Sequence, residues 1–130
     1  MISLDLTSAL PIWSQIEDGV RRLVALGTLA PGSVVPSVRE MARELRVNPA
    51  TVAKAYQRLG DEGVLEVRRG EGTFVCASPP RLDGKERRRL LAQAAERYVH
   101  QAITLGADEE ESMSTVEAVI AQTLARRGEA

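Results

Sequence analysis

The feature that most constrains the fold is Asn48-Pro49, which lies between two short stretches with helical apolar spacing. Proline disfavours α-helical geometry in the residue before it, so one helix cannot run through Asn48. Proline also suits the first turn of a helix, and asparagine is favoured at the position just before that turn. The sequence therefore predicts a helix over 38–45, a turn of about three residues and a second helix over 49–62.

Each of these helices carries further boundary signals. Ser37 and Glu40 form the pattern of a capping box, in which the hydroxyl accepts from a free amide and the carboxylate reaches back. Gly63 is placed to end the second helix. The residues predicted to face inward are Val38, Met41, Ala42 and Leu45 on the first helix and Val52, Ala55, Tyr56 and Leu59 on the second. The pair has the pattern of a helix-turn-helix, a weak signal alone because many small helical domains show it.

A predicted hairpin makes this pattern much more specific. Residues 64–67 alternate like a strand, 68–72 form the basic turn Arg-Arg-Gly-Glu-Gly, and 73–75 form a second strand. A hairpin with an Arg-Arg-Gly tip directly after a helix-turn-helix is typical of a wing. The sequence thus indicates a winged helix-turn-helix.

Other helices are predicted on both sides of this motif. Apolar residues recur at helical spacing over 11–26, after a short strand-like or extended arm at 2–6. Two longer helices are predicted over 84–105 and 108–127, separated by Gly106. Four carboxylates in the first turn of the last helix complement the helix dipole.

These elements predict a mainly α fold with a small β-hairpin. Ser78-Pro79-Pro80 marks the boundary between two parts of the chain. We expect a winged helix-turn-helix DNA-binding domain over 1–77 and a two-helix C-terminal dimerisation tail over 78–130.

Composition narrows the function classes. The formal net charge is −1, but 37–70 contain seven basic against five acidic residues, an excess that is useful only if it lies on one face. One cysteine and one histidine supply neither a disulfide framework nor a metal cluster, and no catalytic triad or phosphate loop is present. No apolar run approaches the ~20 residues that span a bilayer, and the N-terminal sequence has no basic leader. We therefore expect a cytoplasmic protein that is not an enzyme and has no metal or other cofactor.

Residues 2–76 resemble the DNA-binding domain of GntR-type bacterial regulators. The segments PSVRE, VNPATVAKAY, LGDEGVLE and RRGEGTFV carry the resemblance in combination. VNP-x-TV-x-KAY and the brief helical tail are similar to the YtrA-like subgroup. The resemblance implies a transcription regulator, usually a repressor, that binds a palindromic operator in double-stranded DNA as a homodimer. Arg46 departs from the family at a position where glycine is common, which we expect to stiffen the turn slightly.

The candidate DNA-binding residues lie at the starts of the two motif helices, in their turn and in the wing. They are Ser37, Arg39, Arg46, Asn48, Pro49, Ala50, Thr51, Lys54, Arg68, Arg69 and Gly70. N-terminal residues of a recognition helix reach base edges in the major groove, and an arginine beside a glycine can enter a narrow minor groove.

Several of these residues have competing interpretations. Asn48 is favoured as a helix cap over a base contact, Arg69 is favoured over Arg68 in the wing, and the family resemblance implies a DNA contact for Arg39. Arg58 is predicted to be a solvated helix charge. The aromatic residues Trp13, Tyr56 and Phe74 are predicted to belong to the core.

The apolar stripes of the two tail helices must be buried somewhere. The candidate dimerisation residues are Leu90, Leu91, Ala94, Tyr98, Val99, Ile103, Val116 and Ile120. The alternative is that these helices fold back on the winged domain within a monomer. The sequence neither shows nor excludes an unknown small-molecule effector between them. The rival function is a winged domain used only for protein–protein contact, against which Lys54 and the wing arginines argue.

Overall fold

The computed structural model describes residues 2–126, and this range contains five helices and one two-stranded antiparallel sheet. In chain order they are α1 (Ile12–Ala25), α2 (Val38–Leu45), α3 (Pro49–Asp61), β1 (Leu65–Arg68), β2 (Gly72–Val75), α4 (Gly84–Thr104) and α5 (Glu109–Arg126). The predicted mainly α fold with one hairpin is confirmed, with element boundaries within one residue of those predicted. Position 127, the end of the last predicted helix, lies outside the described residues. The chain divides after Pro80 into two compact units.

The start of each motif helix is fixed by the predicted side-chain caps. The Ser37 hydroxyl accepts from the Glu40 amide at 3.1 Å, and the Ser37 amide donates to the Glu40 carboxylate at 3.3 Å. The Asn48 side-chain oxygen accepts from the Ala50 amide at 2.8 Å. Helix α3 then packs against both α1 and α2.

The turn between these helices depends on an unusual backbone conformation at Arg46. Its φ of 58° is left-handed, and no other non-glycine residue of the described range has a positive φ. The Val47 amide then donates to the Ala42 carbonyl at 3.0 Å, which closes the end of α2. Glycine adopts this conformation without a Cβ clash, which gives a physical reason why glycine would suit this position.

The core of the first unit is aliphatic and is built from the predicted apolar stripes. Its largest fully buried side chains are Ile16, Val20, Met41, Val52, Leu59 and Val75. Ile2 and Leu4 of the N-terminal arm pack against this core in an extended conformation. A Cβ added at Gly19 would lie 2.9 Å from the Ile2 side chain, so the missing side chain makes room for the arm.

A third extended segment pairs with the hairpin. Val34 forms a β-bridge with Phe74, the Val35 amide donates to the Thr73 carbonyl at 2.8 Å, and the Val75 amide donates to the Ser33 carbonyl at 2.8 Å. This pairing was not predicted from the sequence. Two consecutive β-branched valines between prolines were the sequence signal for it.

The second unit contains α4 and α5, joined by a turn at Gly106, whose φ is 83°. The Tyr98 hydroxyl of α4 donates to the Ser112 carbonyl of α5 at 2.8 Å. Among the described residues of this unit only Ala102 is buried, and most of the other apolar side chains are exposed. Within residues 2–126, no helix combines the length and apolar character needed to cross a membrane.

Candidate nucleic-acid interface

Helix α3 presents one face to the core and the opposite face to solvent. Val52, Ala55, Tyr56 and Leu59 are buried, as predicted. Ala50, Ala53, Lys54 and Gln57 are exposed and recur at helical spacing along the other side. Ala53 and Gln57 are absent from the predicted contact residues, although the 3.6-residue period could have identified them. This exposed face is the part of the helix that a DNA groove could receive.

The cap at Asn48 limits what this residue can offer to DNA. Its side-chain oxygen already accepts from the Ala50 amide, and its carbonyl accepts from the Thr51 amide at 2.9 Å. The side-chain NH₂ group is therefore its remaining donor. The predicted capping role of Asn48 is confirmed, and whether it also contacts a base stays a prediction.

The first turn of α2 exposes Arg39 next to the capping box. The carboxylate of Glu40 is turned back to the Ser37 amide rather than toward Arg39. Within the described residues, no carboxylate lies within ion-pair distance of the Arg39 guanidinium. Arg39 therefore retains its full capacity to donate to an anion.

The wing holds its two arginines differently. The Arg68 guanidinium pairs with Glu66 at 2.7 Å and lies over the Phe74 ring, 4.1 Å from the ring centroid. Arg69 is exposed at the tip and has no carboxylate partner among the described residues. Since Arg68 is held along the hairpin, Arg69 is the better placed of the two to enter a groove.

Gly70 shapes the tip of the wing. The Glu71 amide donates to the Arg68 carbonyl at 2.9 Å, and Gly70 has a φ of 78° in the third position of this turn. A type II turn requires such a φ, so the glycine has a conformational reason to be there. No atom lies within 4 Å of a Cβ built at Gly70, so the tip is open to a partner.

The prediction that Arg58 is only a solvated charge is wrong. Its Nε donates to Glu17 Oε2 at 3.0 Å, and Glu17 is 2% exposed. Arg21 pairs with the other oxygen of Glu17 at 3.3 Å and also with Glu62. A buried carboxylate is costly unless it is paired and hydrogen-bonded, and these arginines meet that requirement.

Within the first unit, most cations that are not in ion pairs lie on the helix-turn-helix and the wing. In the first unit Arg21, Arg58 and Arg68 have carboxylate partners. The other cations of the first unit have no such partner among the described residues: they are Arg22 on α1 and Arg39, Arg43, Arg46, Lys54 and Arg69 on α2, the turn, α3 and the wing. A nearly neutral chain can thus carry a local basic surface.

The predicted dimerisation residues lie on α4 and α5. Their exposed fractions include 62% for Leu91, 66% for Ile103 and 37% for Val116. A cleft of about 360 Å³ lies between the two helices near Tyr98 and Ala102. Dimerisation itself remains a prediction.

Comparison with known proteins gives a family match. The family model described as bacterial regulatory proteins, gntR family, matches residues 13–75. The HTH-type transcriptional repressor YtrA of Bacillus subtilis (strain 168) is 44% identical over 75 residues, which cover 58% of this chain and 58% of that protein. The HTH-type transcriptional regulator YhcF of the same organism is 35% identical over 109 residues, covering 84% of this chain and 89% of that protein.

Solved structures give the same result for the fold. YtrA from Sulfolobus acidocaldarius, a GntR-family transcription factor, is 38% identical with a TM-score of 0.58, covering 73% of this chain and 97% of that one. The AraR DBD, solved in complex with operator ORX1, is 26% identical with a TM-score of 0.52, covering 57% of this chain and 92% of that one.

Proposed function

Because the chain belongs to the gntR family of bacterial regulatory proteins, we propose that it is a transcription regulator that binds specific sequences in double-stranded DNA. The observation that carries this proposal is the group of cations on α2, α3, their turn and the wing that have no carboxylate partner among residues 2–126. Such cations bind backbone phosphates and supply much of the affinity of a DNA-binding protein. The solved AraR DBD in complex with its operator supports the same function for this fold.

Sequence recognition is assigned to the exposed start of α3. Ala50 and Thr51 can place methyl groups against thymine, and the Thr51 hydroxyl can bond to a base edge. Lys54, Arg39 and Arg46 contact phosphates and set the position of the helix. Arg69, with Gly70 beside it, enters the minor groove.

The protein acts as a homodimer on a palindromic operator. Residues 1–77 form the DNA-binding domain, and 78–130 form the dimerisation region. The exposed apolar side chains of α4 and α5 are buried against a second copy in a two-fold symmetric interface. The two domains then occupy half-sites about one helical turn of DNA, or a multiple of it, apart. Bound there, the dimer obstructs transcription, so the protein is a repressor that acts in the cytoplasm beside the chromosome.

The alternative is a winged domain that binds only proteins. Arg39, Lys54 and Arg69 argue against it, since a protein-binding surface has no need of this many cations without carboxylate partners. Catalysis is not part of the proposal, because the relatives are named as transcriptional regulators. An effector that binds in the tail is not required for the repressor mechanism.

The test is a selection of bound fragments from the genome of the source organism. Purified protein is incubated with sheared genomic DNA at low salt, and the bound fragments are sequenced. We expect enrichment of a few sites that share an inverted repeat. Equal recovery of all fragments in the presence of random competitor DNA would refute the proposed function.

A variant of the wing then tests the assigned surface. Arg69→Ala should weaken binding to a selected site at least fivefold, which corresponds to about 1 kcal/mol or more. Arg22→Ala is the matched control, because Arg22 is also exposed and has no carboxylate partner in the described chain but lies on α1. Fluorescence anisotropy measures the affinity of each variant for the selected site. Equal affinity of the two variants would show that the wing is not part of the interface.

A further inference from the structure

One aromatic side chain of α1 lies against two cations of α3, and the proposed function does not explain this arrangement. The Lys54 ammonium is 4.5 Å from the centroid of the Trp13 ring, and the Arg58 guanidinium carbon is 4.6 Å from it. Trp13 is half-buried and packs against the core. Lys54 and Arg58 are four residues apart, which places them one turn apart on the same side of α3.

These two cations have different surroundings. Arg58 is neutralised by the buried carboxylate of Glu17 at 3.0 Å. Lys54 has no carboxylate partner among residues 2–126, and the Trp13 ring is the group that holds it. An aromatic face attracts a cation through its quadrupole but carries no net charge. Trp13 can therefore fix the position of the Lys54 ammonium without cancelling its charge.

This difference matters for binding an anion. A lysine side chain is long and flexible, and ordering it on binding costs affinity. A carboxylate partner would order the chain but would also have to be displaced by the anion. An aromatic partner orders it and leaves its remaining N–H donors exposed.

We propose that Trp13 is a positioning residue for DNA binding, which holds Lys54 ready for a phosphate of the DNA backbone. This inference rests on the proposed function. Glu17 assists indirectly, because it keeps Arg58 in place beside the same ring. Trp13 itself is not assigned a contact with DNA.

A double-mutant cycle tests the proposal on a duplex recovered from the genomic selection. Trp13→Leu should weaken binding about two- to fivefold and leave the salt dependence of the affinity unchanged. Lys54→Met should make the negative slope of log K against log salt shallower by about 0.9. In the Lys54→Met background, Trp13→Leu should have no further effect on affinity.

A purely structural role for Trp13 gives a different result. Trp13→Leu would then weaken binding by the same factor whether or not Lys54 is present, and this outcome would overturn the inference. If Trp13→Leu does not fold, Trp13→Phe replaces it in the cycle, because phenylalanine keeps an aromatic face with weaker cation binding. Unchanged affinity of Lys54→Met, with wild-type protein bound to the site, would overturn the inference and leave the proposed function intact.

A spectroscopic measurement checks the contact without DNA. Trp13 is the one tryptophan in the sequence, so the indole fluorescence reports on this residue alone. Lys54→Met should change the emission of the free protein, whereas Lys85→Met, which alters the other lysine of the chain, should not. Identical emission spectra for wild-type protein and Lys54→Met would show that the contact is not formed, and the inference would fall.

Discussion

Replacing Arg46 with glycine is expected to stabilise the protein, although it removes a large side chain. Arg46 has a left-handed φ of 58°. An L-residue in this region costs about 1–2 kcal/mol, because its Cβ approaches the following carbonyl oxygen. Glycine avoids that cost but loses about 0.5–1 kcal/mol more through its greater freedom in the unfolded chain. The net stabilisation should be about 0.5–1 kcal/mol.

The sharpest comparison is between Arg46→Gly and Arg46→Ala. Both variants lose the same positive charge and the same exposed side chain, so they differ mainly in the presence of a Cβ. Arg46→Gly should have the higher free energy of unfolding by about 1 kcal/mol or slightly less. In a domain of this size, the corresponding difference in Tm is several degrees, about 4–8 °C per kcal/mol for 60–100 residues.

Urea denaturation followed by circular dichroism measures the difference in stability directly. The slope of the free energy against urea should stay the same in both variants, since neither changes the surface that unfolding exposes. A glycine variant that is no more stable than the alanine variant would refute the assignment of strain to this turn. Both variants should bind DNA with equal affinity, below that of the wild type, if Arg46 contacts a phosphate through its charge.

Three further predictions test the packing and the assembly. Glu17→Gln should lower the free energy of unfolding by about 1–2 kcal/mol, because it weakens two charged hydrogen bonds at a buried site. The control Asp18→Asn should change the free energy of unfolding by less than about 0.5 kcal/mol, and urea denaturation measures both variants. Burial raises the pKa of Tyr56, so wild-type stability should fall as the pH rises above about 10, where the unfolded state ionises first. Tyr56→Phe should lose that extra pH dependence. Below pH 10 its free energy of unfolding should be about 1 kcal/mol lower than that of the wild type, because the hydrogen bond from the Tyr56 hydroxyl to the Pro36 carbonyl is absent. Ile103→Asp should give monomers in light scattering, and dimers that persist would remove α4 from the interface.

The sequence predicted the features that depend on neighbours within about one helical turn. The capping box at Ser37 and the buried stripe of α3 follow from residues three or four positions apart, and the cap at Asn48 follows from the proline next to it. These local patterns are enough to define the helix-turn-helix and its boundaries.

Features that depend on distant residues were not predicted. The ion pair between Glu17 and Arg58 joins residues 41 positions apart. The β-bridge between Val34 and Phe74 joins the extended segment before α2 to the hairpin. Neither has a periodic signature, because each arises when α1, α3 and the hairpin pack together. The sequence favoured Arg69 over Arg68 as the wing contact, but it did not predict that Arg68 pairs with Glu66 and lies over the Phe74 ring.

The extended segment before α2 has a consequence for how new binding specificities can arise. Backbone hydrogen bonds tie residues 33–35 to β2, and the Tyr56 hydroxyl ties α3 to the carbonyl of Pro36 at 2.7 Å. The distance between the wing and α3 is thus set by these hydrogen bonds and not by the exposed side chains of the wing and of α3. In the proposed complex with DNA, substitutions of these side chains can change the preferred bases while the distance between the wing and α3 stays the same.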